Sequence, residues 1–475
     1  MSGRTLQAGE HPQHGAGGDL ITLQETIDRV LRLSNADACI VNVRRVASVN
    51  IRWAHNTVTT NGDADEAQLS VISVIGRRVA SVTRSYFPDD RLEEIVRESE
   101  AACARRPEAP DYMPLLAGSA PPADWGAPPA DSDIHVFDPF VPQLRKLYED
   151  ARRAGIATFG YSEFQTATTF VATSTGVRRR HTERIGKVEI TGKTPDFARS
   201  SWVGQVTHDF LDIDLAEMFE TLQQRLAWAA RRIDMPAGSY EVLLEPSPAA
   251  DLAIGAYWFM TRRDADEGRS PYSKPGGGTR IGERLFGDAT MYSDPVEPRI
   301  ESTPFHHGVD SGGATSVFDN GMELSRSEWV RDGVLQNLIT PRYWAAKAGA
   351  KAMPYVNNLI LDGAAPSSAS MREMIAQTER ALLVTCFWYI RTVDPQTALV
   401  TGLTRDGVFL VERGEVKGAV NNFRWNMSPI AALAQATQFG RCGLALPREH
   451  DEFLRSKAPP LRIDRFNMSS VSEAS

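Results

Sequence analysis

The chain is expected to adopt an α+β fold, with N-terminal α/β-meander domains followed by a C-terminal domain built on a largely antiparallel sheet with flanking helices. Three observations carry this. Segments with apolar residues at helical spacing alternate with runs of β-branched residues at period two. Short polar turns separate the C-terminal runs, the arrangement of helices set around a sheet. At 475 residues the chain exceeds what one core supports, so two or three domains are expected.

Residues 1–20 are polar and rich in Gly, His and Gln, and are expected to form a disordered tail rather than a signal peptide. Leu23, Ile27, Val30 and Leu31 then share one helical face. The runs Cys39–Arg45, Ser48–Trp53, Ala67–Ile75 and Arg77–Arg84 read as a meander, with Gly76 at its tightest corner. Phe87-Pro-Asp-Asp90 opens a helix through Leu92, Ile95 and Val96, closing an N-terminal α+β domain at 21–105. Pro and Ala dominate 106–138, the composition of a linker.

A central α+β domain is expected at 139–234. Helices at Val141–Ala154 and Leu215–Arg232 bracket strands at Ser162–Thr173, Val177–Glu183 and Lys187–Thr191, with Ser174-Thr-Gly176 as a hairpin turn. The last domain, 235–475, begins after Met235-Pro-Ala-Gly238. Its strands are read at Tyr240–Leu244, Leu383–Arg391, Ala398–Leu403, Gly407–Val411 and Glu415–Val420. A helix is expected over Ser370–Leu382 with Ser at its N-cap. Another, from Ala249 to Arg263, follows the turn Glu245-Pro-Ser-Pro248.

Composition excludes several classes. With 52 Lys and Arg against 60 Asp and Glu, the net charge of −8 argues against a surface for phosphate backbones, so nucleic acid is not an expected partner. No run approaches the roughly 18 apolar residues of a membrane span, and no membrane partner is expected. The four cysteines, Cys39, Cys103, Cys386 and Cys442, form no C-x-x-C pair, which fits a reducing cytoplasm.

Several residues invite a chemical reading beside a plain one. Gly276, Gly277 and Gly278 are not followed by G-K-[ST], so they make a flexible loop or a strip that lets a substrate backbone come close. His306 and His307 are adjacent and point in different directions, a poor pair for one metal. Cys442, in Gly440-Arg-Cys-Gly443, is a thiol candidate or simply a small hydrophobe. Arg178-Arg-Arg180 with His181, Arg262–Glu267 and Asp209–Asp214 read as solvated charge. Arg391, Asn421, Asn422 and Trp425 lie in segments mixing aromatic anchors with amide or guanidinium groups, suited to peptide contact or equally to core and turn.

A series of short motifs completes the reading. Ser273-Lys-Pro-Gly-Gly-Gly-Thr279 with Ile281-Gly282, Met291-Tyr-Ser-Asp-Pro295, Asp332-Gly-Val-Leu-Gln-Asn337, Arg342-Tyr-Trp-Ala-Ala-Lys347, Thr401-Gly-Leu403, Val411-Glu-Arg-Gly-Glu415 and Pro460-Leu-Arg-Ile463 occur in this order. The order resembles the C-terminal half of the TldD/PmbA family, peptidase subunits once described as modulators of DNA gyrase. In the catalytic TldD-type subunit the helix after the turn carries H-E-x-x-x-H, whose two histidines grip zinc while the Glu activates water. Here the equivalent face reads as Ala, Ile, Gly, Tyr and Trp, and no metal ligand is expected in Ala249–Arg263. Cys442 stands roughly where that subunit supplies a third ligand.

The resemblance thus implies a PmbA/TldE-like, metal-free subunit of a heteromeric metallopeptidase. It would carry no cofactor of its own. Zinc is expected in a TldD-like partner, and the pair would digest unfolded or leader peptides in the cytoplasm. Two alternatives remain at this stage: an enzyme in its own right with a site using Cys442 and His306 or His307, and a self-associating binding protein.

Overall fold

The computed structural model describes residues 21–118, 120–365, 367–405 and 407–472; the tail expected at 1–20 lies outside them. Helix α1 (Leu23–Leu33) starts at a reciprocal cap in which the Glu25 amide donates to the Thr22 hydroxyl at 3.1 Å and the Thr22 amide to the Glu25 carboxylate at 2.6 Å. Its buried residues include Ile27 and Val30. Strands β1 (Ala38–Ala54), β2 (Thr57–Ile75) and β3 (Arg78–Arg84) form a three-stranded meander, in which the runs expected separately at Cys39–Arg45 and Ser48–Trp53 are the one strand β1, and helix α2 (Leu92–Ala104) follows. Helix α3 (Val141–Ala154), strands β4 (Ala157–Thr173), β5 (Arg178–Lys193) and β6 (Ser200–Thr207), and helix α4 (Leu215–Trp228) come next.

One sheet unites these strands, in the order β3-β2-β1-β4-β5-β6. β1 pairs with β4 from Ile40–Thr173 to Trp53–Gly160. The segments 21–105 and 139–234 therefore share a sheet rather than holding one each, and residues 106–138 connect α2 to α3 alongside it. The side-chain period of two divides the faces of β1. Cys39, Val41, Val43, Val49, Ile51 and Trp53 pack with the cores under α1 to α4. Ile40 instead packs with Val317 and Phe318, and the Asn42 amide donates to the Gly308 carbonyl at 2.9 Å. Helices thus cover one face and the C-terminal region the other.

That junction carries buried charge. Glu183, 6% exposed, accepts from the Thr303 amide (3.1 Å) and hydroxyl (3.2 Å) and lies 3.5 Å from Arg455. Burial opposes its charge, yet Arg455 and Arg44 leave its carboxyl below the usual value. Lys187 reaches Asp451 at 2.9 Å. The Arg178–Arg180 run is not a free solvated face, because its members pair with Asp28 (3.1 Å), Glu323 (3.1 Å) and Asp124 (2.7 Å) in turn.

Among the described residues the C-terminal region holds three further sheets. A seven-stranded sheet runs Ala436–Phe439, Leu461–Met468, Gly238–Leu244, Arg380–Val384, Val408–Glu412, Glu415–Val420, Arg232–Ile233. A six-stranded one runs Val334–Leu335, Ser327–Arg331, Ala289–Ser293, Leu359–Gly363, Ser456–Ala458, Gly443–Leu444. The third comprises Phe387–Asp394, Leu399–Thr404, Phe423–Met427 and Ser470–Val471. Antiparallel pairs predominate, as the α+β expectation requires; the parallel ones join Gly238–Leu244 to Arg380–Val384, Leu359–Gly363 to Ser456–Ala458, and Glu415–Val420 to Arg232–Ile233.

Several elements differ from expectation. The helix expected over Leu215–Arg232 ends at Trp228, with Arg232–Ile233 a strand beside Glu415–Val420, and the strands expected at Val177–Glu183 and Lys187–Thr191 are the single strand β5. The helix expected over Ser370–Leu382 stops at Ala376, and Arg380–Val384 is a strand held between Gly238–Leu244 and Val408–Glu412. Tertiary pairing there outweighs local helical spacing. The strand expected over Leu383–Arg391 breaks at Thr385–Cys386 and divides between two sheets. No helix among the described residues is long and apolar enough to cross a membrane.

Candidate functional site

Helix α5 (Pro246–Trp258) lies at the centre of the C-terminal region. Pro246 occupies its first turn, where a missing N–H costs no hydrogen bond, and the helix ends at Trp258 rather than reaching Arg263. It is buried on every side, from Ser247 to Tyr257, so its sequence is apolar all round rather than striped. The Tyr257 hydroxyl donates to the Val356 carbonyl (3.1 Å) and accepts from the Val356 amide (3.0 Å).

Asp251 is the one acid in α5 and corrects the expectation that this stretch lacks any possible ligand. It is 1% exposed. One carboxyl oxygen accepts from the amides of Glu449 (3.1 Å) and His450 (3.2 Å), and the other has no partner among the described residues. Burial, with Glu449 adding to it, holds this carboxyl well above its ordinary value. Beside it the His450 ring meets Trp258 edge-on at 4.5 Å and is held down to about 4, chiefly by burial. Glu449 accepts from the Ile390 amide at 3.0 Å.

At the N-terminus of α5 a cleft of about 450 Å³ opens between β6, α4 and the Leu444–Leu446 segment. Trp202, Asp214, Glu217, Glu245 and Ser247 line it. Arg225, also in the lining, donates to the Trp202 carbonyl at 2.6 Å and pairs with Glu245 at 2.5 Å.

The residues singled out in the sequence do not converge. Gly276, Gly277 and Gly278 form an exposed loop with φ of 86°, 112° and 81°. A Cβ added at Gly276, Gly277 or Gly278 would meet nothing within 4 Å, so glycine is required there by backbone conformation and not by close approach of another part of the chain. Arg391 is exposed and reaches Glu449 at 4.0 Å, near α5. Asn421 is buried, its side-chain oxygen accepting from the Met235 amide at 2.6 Å. The Asn422 carbonyl accepts from Ser472 at 2.8 Å. Trp425 is fully buried, packed on Phe387 and Phe466 with ring centres at 4.6 and 5.4 Å. Missed in the sequence were Asp251, a lone acid on an apolar helix and hence a legible signal, and the cleft, whose walls come from segments far apart in the chain.

The donor set does not fit a zinc ion. α5 has neither His nor Cys. The Cys442 thiol donates to the Leu361 carbonyl at 3.3 Å, is pushed up to about 12 by burial, and has no histidine of α5 to complete a tetrahedral set. His306 is buried and held down to about 4, and His307, also lowered by burial, faces Glu183. Among the described residues no three His, Cys, Asp or Glu side chains are grouped to hold a metal.

A family profile for the PmbA/TldA metallopeptidase C-terminal domain matches residues 237–470, the region that contains α5. The chain belongs to the TldD/PmbA family. TldE from Thermococcus kodakarensis has a similar structure, with a TM-score of 0.76 at 14% identity over 94% of this chain and 99% of that one. A candidate modulator of a DNA gyrase from Thermotoga maritima gives 0.73 at 14% identity over 94% and 100%. Another from Bacteroides thetaiotaomicron gives 0.72 at 14% identity over 94% and 98%. At this identity the likeness establishes the TldD/PmbA fold and nothing finer. No curated protein matches the sequence significantly.

Proposed function

We propose that this chain is the metal-free, TldE-like member of a two-subunit metallopeptidase. Its partner is a TldD-like subunit that holds zinc and supplies the general base, and the pair degrades or processes unfolded and leader peptides. This chain completes the wall of the peptide cavity and positions the substrate. One observation carries the reading: on α5, where the family resemblance places the metal-binding pair, the sole polar ligand type is Asp251, and one of its oxygens is committed to two backbone amides.

A subunit that positions without cleaving raises turnover by ordering the substrate before attack. The test is the rate at which a TldD-like partner cleaves a disordered peptide, with and without this chain. An increase of about tenfold or more on adding the chain is expected. A partner equally active alone contradicts the reading.

A further inference from the structure

We infer that the cleft at the N-terminus of α5 binds a cationic group, a primary ammonium or a guanidinium, carried by the peptide; this rests on the peptide-holding reading above. The cleft volume of about 450 Å³ lies within the range of small-molecule and side-chain pockets. Its walls come from the central segment (β6 and α4) and from the C-terminal region (α5 and Leu444–Leu446), so it exists only in the assembled chain.

The charge balance in the lining is uneven. Asp214, Glu217 and Glu245 face one guanidinium, Arg225, which is already spent on Glu245 and the Trp202 carbonyl. Asp214 uses one oxygen to cap α4, accepting from Ala216 (2.9 Å) and Glu217 (3.1 Å) amides. Neither Asp214 nor Glu217 has a cationic partner among the described residues. Asp214 and Glu217, both exposed at the first turn of α4, set a negative potential at the mouth of the cleft that salt weakens. Arg448 lies nearby over the Trp202 ring at 5.4 Å, but it is outside the lining and sits closer to Trp388, at 3.7 Å.

The floor is shaped to stay closed. At Gly204 an added Cβ would lie 2.4 Å from both Leu446 and Trp202 side-chain atoms, so only glycine lets these two seal β6. Trp202, 4% exposed with its indole N–H donating to Glu189 at 3.2 Å, closes the cleft as part of a packed core and leaves the carboxylates to contact the cation. Ser247, 8% exposed, is in the same lining, and its hydroxyl has no partner among the described residues. A donor-rich cation supplies what this hydroxyl, the second oxygen of Asp214 and the Glu217 carboxylate lack.

The experiment titrates the full chain calorimetrically with three disordered peptides of equal length. The first carries one Arg and an acetylated N-terminus, the second has Gln in its place, and the third is the Gln peptide with a free N-terminus. The Arg peptide or the free-amine peptide should bind about tenfold more tightly than the acetylated Gln peptide, and which one does so identifies the source of the cation. The isosteric double variant D214N/E217Q should lose that preference, as should T221K, which puts a cation into the cleft and serves if the double variant fails to fold. Equal binding of all three peptides, or an undiminished preference in a folded variant, overturns the assignment while leaving peptide holding intact. Binding of none overturns it too, and the partner's cleavage rate then decides the broader reading separately.

Discussion

At the scale of single residues, two asparagines and a tryptophan that read as peptide contacts are parts of the scaffold. Asn421 fixes the chain at Met235, so Asn421→Ala should cost about 1–3 kcal/mol, measured by denaturant unfolding, because the Met235 amide is left buried and unpaired. Trp425→Ala should cost about 3–5 kcal/mol in the same assay through the cavity it leaves. Asp251 behaves oppositely. Its folded carboxyl is raised above the unfolded value, so the stability linked to its proton is complete below an ordinary Asp pKa and is lost as pH rises. Asp251→Asn keeps the acceptor for Glu449 and His450 and removes that loss. The variant should therefore gain on the wild type as pH rises from about 4, in paired melting curves; a gap that shrinks with rising pH would contradict the burial of this acid.

Elements were legible where their own residues stated them. α1, α2 and α3 follow from apolar spacing, with α3 matching Val141–Ala154 in full, and the hairpin turn at Ser174–Gly176 follows from its residues. The missed pieces are those that borrow their structure. The polar stretch Thr57–Glu66, with Asn61-Gly-Asp-Ala-Asp-Glu66, lies outside the strands read from the sequence, yet it is strand because β1 pairs with it along its whole length. The tight corner at His55–Asn56, both at positive φ, is held by the Asn56 side chain, which accepts from the Thr158 amide and donates to Ile156. Arg380–Val384 likewise owes its form to two neighbours. The cleft was invisible for the same reason: Arg225 on α4 and Glu245 before α5 meet only in three dimensions. Arg225→Ala leaves the half-buried Glu245 and the Trp202 carbonyl without their partner and should cost about 1–3 kcal/mol in unfolding experiments.

For the whole molecule, the shared six-stranded sheet means that the N-terminal segment is not a free-standing unit. A fragment of residues 21–138 strips β4 from β1, and should lack the dispersed amide spectrum of a folded domain. Acid should loosen the whole chain through its buried histidines. His306 and His450 are held at about 4, below the unfolded value of about 6.5, so the stability they contribute is present above 6.5 and lost as pH falls through 4. The melting temperature should fall across that window, and H306Q/H450Q should flatten the fall. The central proposal, a metal-free subunit beside a zinc-bearing one, is tested most directly by metal analysis of the copurified complex and of each separated subunit after dialysis. The expected result is one zinc retained by the TldD-like partner and none by this chain; one tightly held zinc per copy of this chain would contradict it.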